Sequence, residues 1–170
     1  MAVINPDHLL DQARVLARVP AAGAPRQADL RRAISSCYYA VFHHTLTAAA
    51  DMFVGNTKRS SPEYALAYRA IGHKALRDLC VDLQKVTIPE RYRPHVPAAG
   101  YGADFRAYAV GVVGLQQDRH SADYDPLIKL AASDAWLVVR TAESTIASFN
   151  VVPDAQRRSF SALLLFGARH

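Results

Sequence analysis

The side chains best suited to chemistry lie in one stretch, Arg32 to His43, RAISSCYYAVFH. On a helix advancing about 100° per residue, Arg32, Ser36, Tyr39 and His43 fall in one narrow sector, with Ser35 close beside them. A guanidinium binds oxyanions, an imidazole moves protons near neutral pH, and a phenol can stack or donate a hydrogen bond. The opposite side carries Ile34, Cys37 and Val41, with Tyr38 and Ala48 near. A helix apolar over most of its circumference belongs at the centre of a bundle, so its polar stripe must face other protein or a cleft. A buried arginine there needs a partner.

A second stretch offers partners. Gln116, Arg119 and Asp123 share one helical face, Arg119 and Asp123 have ion-pair spacing, and Tyr124 follows. If the two helices pack together, Arg32 meets Asp123, and Tyr39 or His43 meets Arg119 or Tyr124. Three readings stand open: a satisfied polar network that fixes helix register, a phosphate or nucleotide pocket with Arg32 and Arg119 as anion contacts, or acid–base chemistry at His43. A secondary basic cluster, Arg91, Tyr92, Arg93 and His95, can contact phosphates with Tyr92 free to stack, or is a charged solvated loop. Arg157 and Arg158 read as a solvated polar face.

Other chemistries lack their residues. There is no P-loop, and Gly100-Tyr101-Gly102 lacks the third glycine of a dinucleotide fingerprint. There is no G-x-S-x-G elbow and no H-E-x-x-H, and the adjacent His43 and His44 diverge on a helix. No metal and no cofactor are expected.

Positioning these residues falls to helices. Asn5 and Pro6 open a first helix over 6–18, ended by Pro20 and Gly23. Gln27 to Val54 contains neither Gly nor Pro and reads as one long helix, closed at Gly55-Asn56. Ser60 and Glu63 have capping-box spacing and start a third helix that runs to Leu83 through Gly72. The prolines and glycines of Val86 to Gly102 forbid a regular element. A fourth helix covers 103–124, where Gly111 and Gly114 can admit a close neighbour. Asp125-Pro126 reads as cap and first residue of a fifth helix reaching Phe149, and a short last helix follows Pro153. The expected fold is all-α, an antiparallel up-and-down bundle of five to six helices around a long central second helix. Residues 1–170 form one domain, with its core in 27–150 and the 151–170 helix appended.

The composition agrees. Of 170 residues, 51% are apolar and 21% charged, which describes one globular domain rather than a disordered chain. A net charge of +5 permits nucleic-acid contact without requiring it. No apolar run approaches the ~20 residues of a membrane span. The first residues carry Asp7 and no signal pattern, and Cys37 and Cys80 stand alone, so the expected compartment is the cytoplasm.

In combination, RAISSCYYAVFH (32–43), RHSADY (119–124) with Asp125 following, and the weaker Gly72-His73-Lys74 resemble the HEPN superfamily, specifically its small prokaryotic stand-alone members. The resemblance covers about residues 27–150. It implies a helical bundle, commonly a homodimer, in company with nucleotidyltransferases, toxin–antitoxin systems or RNA-directed defence. Many members are ribonucleases with an arginine, four to six residues, then a histidine. That spacing is missing: Arg69–His73 and Arg91–His95 are one residue too short, and Arg119 is followed after four residues by Tyr124. A phenol with a pKa near ~10 is a poor substitute for an imidazole near ~6.5 as a proton shuttle. His120, next to Arg119, points about 100° away. The expectation is therefore a non-catalytic module that binds a partner, a nucleotide or RNA. The alternatives are a divergent metal-independent ribonuclease using Arg119 with His43 or Tyr124, and a purely structural partner-binding protein.

Overall fold

A computed structural model describes residues 3–167. Among them are seven α-helices and no strand: α1 (Pro6–Leu16), α2 (Gln27–Phe53), α3 (Pro62–Arg69), α4 (His73–Leu83), α5 (Ala103–Tyr124), α6 (Ala132–Val151) and α7 (Asp154–Phe166). Two short 3-10 turns lie at Asn56–Lys58 and Glu90–His95. None of the described helices is long and apolar enough to cross a membrane.

The long second helix is the axis. α1, α5 and α6 all pack against it. α1 runs antiparallel to α2, since Gln12 meets Ser36 while Pro6 lies near His44. α5 also runs antiparallel to it, with Asp123 beside Ser35 and Tyr108 beside Thr45. α6 returns parallel to α2, from Leu130 beside Gln27 to Asn150 beside His44. The side of α2 read as apolar is buried at Ile34, Cys37, Tyr38 and Val41. A hydroxyl pair in this core is satisfied: Thr45 bonds the Val41 carbonyl at 2.9 Å and the Tyr108 phenol at 2.7 Å. α7 reaches the same core, where the ring of Phe160 sits among Phe105, Tyr108 and Phe149.

Local signals explain some helix ends. The Asn5 side chain accepts the Asp7 N–H at 3.0 Å and Pro6 takes the first turn, as expected. Gly55 stops α2 with φ at 107°, a conformation that favours glycine. Gly111 lets α5 approach α6, because a β-carbon there would lie 2.1 Å from the Thr145 hydroxyl. Gly114 faces open space and admits no neighbour.

Four expectations are corrected. The expected third helix is two, α3 and α4, separated at Ala70–Gly72, which raises the count from five or six helices to seven. Its cap is Ser61, whose hydroxyl accepts the Tyr64 N–H at 3.2 Å, rather than Ser60. The helix after α5 begins at Ala132, not at Pro126. Asp125 instead closes a turn by accepting the Leu127 N–H at 2.9 Å, and Asp134 accepts the Ala131 N–H at 2.8 Å to start α6. The prolines of 86–102 do not exclude regular structure altogether, since Pro94 sits inside the 3-10 turn.

Candidate functional site

The polar stripe of α2 divides into two halves with different neighbours. At its N-terminal end, Arg31 rather than Arg32 makes the contacts. The Arg31 guanidinium donates to the carbonyls of Ala122 (2.7 Å), Asp125 (2.8 Å) and Ile128 (2.8 Å). These belong to the last turn of α5 and the loop after it, where helix geometry leaves carbonyls without partners. Gln27 reinforces the loop, donating to the Leu130 carbonyl at 2.8 Å and accepting its N–H at 2.9 Å. Ser35 donates to the Asp123 carboxylate. Arg32 is exposed and does not meet Asp123, which Ser35 and Arg119 share. Ser36 is buried on the other side, against Gln12 of α1 at 3.2 Å. The wheel fixed their angles correctly, but the angle alone does not say which helix stands opposite.

The C-terminal half of the stripe builds a cluster with α3, α4 and α5. The break at Ala70–Gly72 starts α4 at His73 and brings that ring onto α2. His73 Nδ1 lies 2.8 Å from the Tyr38 hydroxyl, and its ring centre is 4.0 Å from that of Phe42. His43 Nδ1 lies 2.7 Å from the Tyr68 hydroxyl, and Tyr39 stands between the two imidazoles, 6.2 Å from His43 and 5.8 Å from His73. Arg119 reaches over this floor, its guanidinium carbon 5.6 Å from the Tyr38 ring centre and 5.5 Å from that of Tyr39. Its Nε donates to Asp123 at 3.1 Å. That is its only hydrogen bond among the described residues, so four of its five N–H donors are uncommitted.

The electrostatics favour neutral imidazoles beside a fixed cation. Burial lowers the pKa of His73, and the Arg119 charge lowers it further. Burial lowers His43 as well, with a contribution from His73. Burial raises the Tyr38 phenol. Arg119 is partly buried, which opposes its charge, but Tyr39 and Asp123 outweigh this and hold it above the ordinary guanidinium range. The start of α4 adds to the positive field. Gly72 supplies no side-chain cap, and no acidic residue occupies the first turn. Gln116 ties α5 to this point by donating to the His73 carbonyl at 3.4 Å, and its own side-chain oxygen is buried without a hydrogen-bond partner among the described residues.

The remaining expected residues lie at the edge or elsewhere. Tyr124 is 65% exposed, with its ring centre 5.0 Å from that of His120. In the basic loop, Arg91 pairs with Asp82 at 2.9 Å and lies over Tyr92, 4.6 Å to the ring centre. Arg93 donates to the Ile88 carbonyl at 3.2 Å, and the His95 carbonyl accepts from Ser159 at 2.6 Å. These contacts tie the loop to itself, α4 and α7 rather than to Arg119. Sequence reasoning missed Arg31, Tyr38, Tyr68 and His73 as members of these networks. For His73 the sequence offered two weak signals, the helix-disfavouring glycine before it and its place in the Gly72-His73-Lys74 stretch.

Among the described residues, no group of three or more His, Cys, Asp or Glu is gathered as a metal site. No family model, no curated protein and no solved structure matches this chain.

Proposed function

We propose that the chain is a HEPN-like bundle that binds the phosphate of single-stranded RNA or of a nucleotide at Arg119, without cleaving it. The observation that carries this reading is the uncommitted guanidinium of Arg119, held over two tyrosine rings beside the uncapped start of α4. Arg119 would meet a phosphate oxygen, first-turn amides of α4 would add donors, and the half-buried Tyr39 would offer a ring to a base. Binding of a labelled single-stranded RNA, followed by anisotropy at several salt concentrations, tests it. Arg119→Ala should weaken binding and flatten the salt dependence by about one phosphate contact. An unchanged slope refutes the assignment.

A second reading, a divergent metal-independent ribonuclease, draws support from His73. Its ring packs on Tyr38 and Tyr39, the two rings that Arg119 overlies, so an arginine and a histidine flank the same aromatic floor although their sequence spacing does not match the motif. Both imidazoles bond phenols and carry lowered pKa values, which suits a base but supplies no ready acid. Cleavage of RNA in the presence of a chelator, lost in His73→Gln, would favour this reading over simple binding. The HEPN resemblance also suggests a homodimer, or docking to a nucleotidyltransferase within a toxin–antitoxin pair, in the cytoplasm. Sedimentation of the purified chain tests the first, and a monomer at high concentration removes it.

A further inference from the structure

One face of α7 borders a groove. Ala155, Arg158, Ser159, Ala162, Leu163 and Phe166 recur at three- and four-residue spacing along it. Phe53 from the end of α2 and the Val96-Pro97 segment stand opposite, and together they line a groove of about 600 Å³. At ~1.5 Å per residue, the stretch from Arg158 to Phe166 is about 12 Å long.

The two ends of that stretch differ. At one end Phe166 is 59% exposed and meets Phe53 edge-on, with ring centres 5.3 Å apart. Arg158 starts from the other, and its guanidinium reaches the same ring, 5.9 Å from the Phe53 ring centre. Arg158 has no carboxylate and no hydrogen-bond partner among the described residues, whereas its neighbour Arg157 pairs with Asp154. Among the described residues no acidic side chain lines the groove, and the other ionisable side chain on it is His95. Ser159 is already engaged, donating to the His95 carbonyl and bonded to the Tyr101 phenol at 2.7 Å.

An apolar trough with one unpaired guanidinium beside its Phe53 wall complements an amphipathic monoanion. A neutral chain would gain only the apolar contact, and a cationic one would be repelled by Arg158. We infer that this groove binds an acyl carboxylate, its chain along Leu163, Phe166 and Phe53 and its carboxylate on Arg158. The site is independent of the Arg119 cluster, and Arg158 is more than the solvated polar surface its sequence context suggests.

Calorimetric titration of the full chain with decanoate tests this, with decanol and decyltrimethylammonium as matched neutral and cationic probes. Decanoate should bind saturably at one site and about tenfold or more tighter than either. Arg158→Gln should remove that preference while leaving decanol binding unchanged, and Phe166→Ser should weaken both. Both positions are exposed, so the variants should melt with the wild type. No saturable decanoate binding overturns the inference, as does unchanged affinity in Arg158→Gln. Self-association that Phe166→Ser abolishes and decanoate does not compete with would assign the groove to a second copy of the chain instead.

Discussion

Arg31 and Arg119 both act where α2 meets α5, and they do so in opposite ways. Arg31 directs three of its five donors to backbone carbonyls of its own chain, which fixes it in the α5–α6 turn. Arg119 makes one bond, to a carboxylate one turn along its own helix, and keeps its outer nitrogens free over a tyrosine floor. The first is a staple that closes the α5–α6 turn. The second is a cation held in place but not consumed. The count of committed donors separates structure from candidate function: three at Arg31 and one at Arg119.

The sharpest way to break this comparison is to remove the staple. Arg31→Ala leaves three carbonyls without their donor and should destabilise the protein by about 2–4 kcal/mol in chemical denaturation. The exposed Arg32→Ala should stay within about 0.5 kcal/mol. Equal effects at the two positions would mean that Arg31 is not a staple.

Close packing of α5 on α6 is a separate requirement of the same scaffold. Gly111→Ala drives a methyl into Thr145 and should cost about 1–3 kcal/mol, partly recovered when Thr145→Ala is added. A neutral Gly111→Ala would show that the two helices can part without consequence.

A smaller effect comes from acid. His43 and His73 have folded pKa values below the ordinary 6.5, so the unfolded chain binds more protons. Their contribution is therefore complete above about pH 6.5 and is lost as pH falls through the lowered folded values. His44, also lowered by burial, acts in the same direction. Denaturation midpoints should fall with acidification over this range, and less so in His43→Gln or His73→Gln. A pH-independent midpoint would contradict the burial of these rings.

The fold was largely legible where the signal is local. The absence of Gly and Pro from 27 to 53 marks α2, Asn5-Pro6 marks the start of α1, and Gly55 marks the stop of α2. Two boundaries were hidden because tertiary contacts decide them. Gly72 costs a helix only about 1 kcal/mol, so the sequence allows it to continue; the observed break instead accompanies docking of His73 on Tyr38 and Phe42. Asp125-Pro126 resembles a helix start, but Arg31 holds the carbonyls of 122, 125 and 128 around itself, and the segment remains a turn. The site was legible in part. Tyr39, His43 and Arg119 do converge, and the Arg119–Asp123 pair forms as its spacing suggests. Tyr38 and His73 were not legible as members, because their roles depend on which helix packs over them.

A small expected stability change carries the most direct test. Arg119→Ala breaks one partly exposed ion pair and should alter stability by less than about 1 kcal/mol. The decisive measurement is the affinity of this variant for single-stranded RNA, at a temperature where its circular dichroism matches that of the wild type. The account predicts a loss of about tenfold or more with the fold intact. Unchanged affinity, or a loss only in step with unfolding, would reduce Arg119 to a second staple.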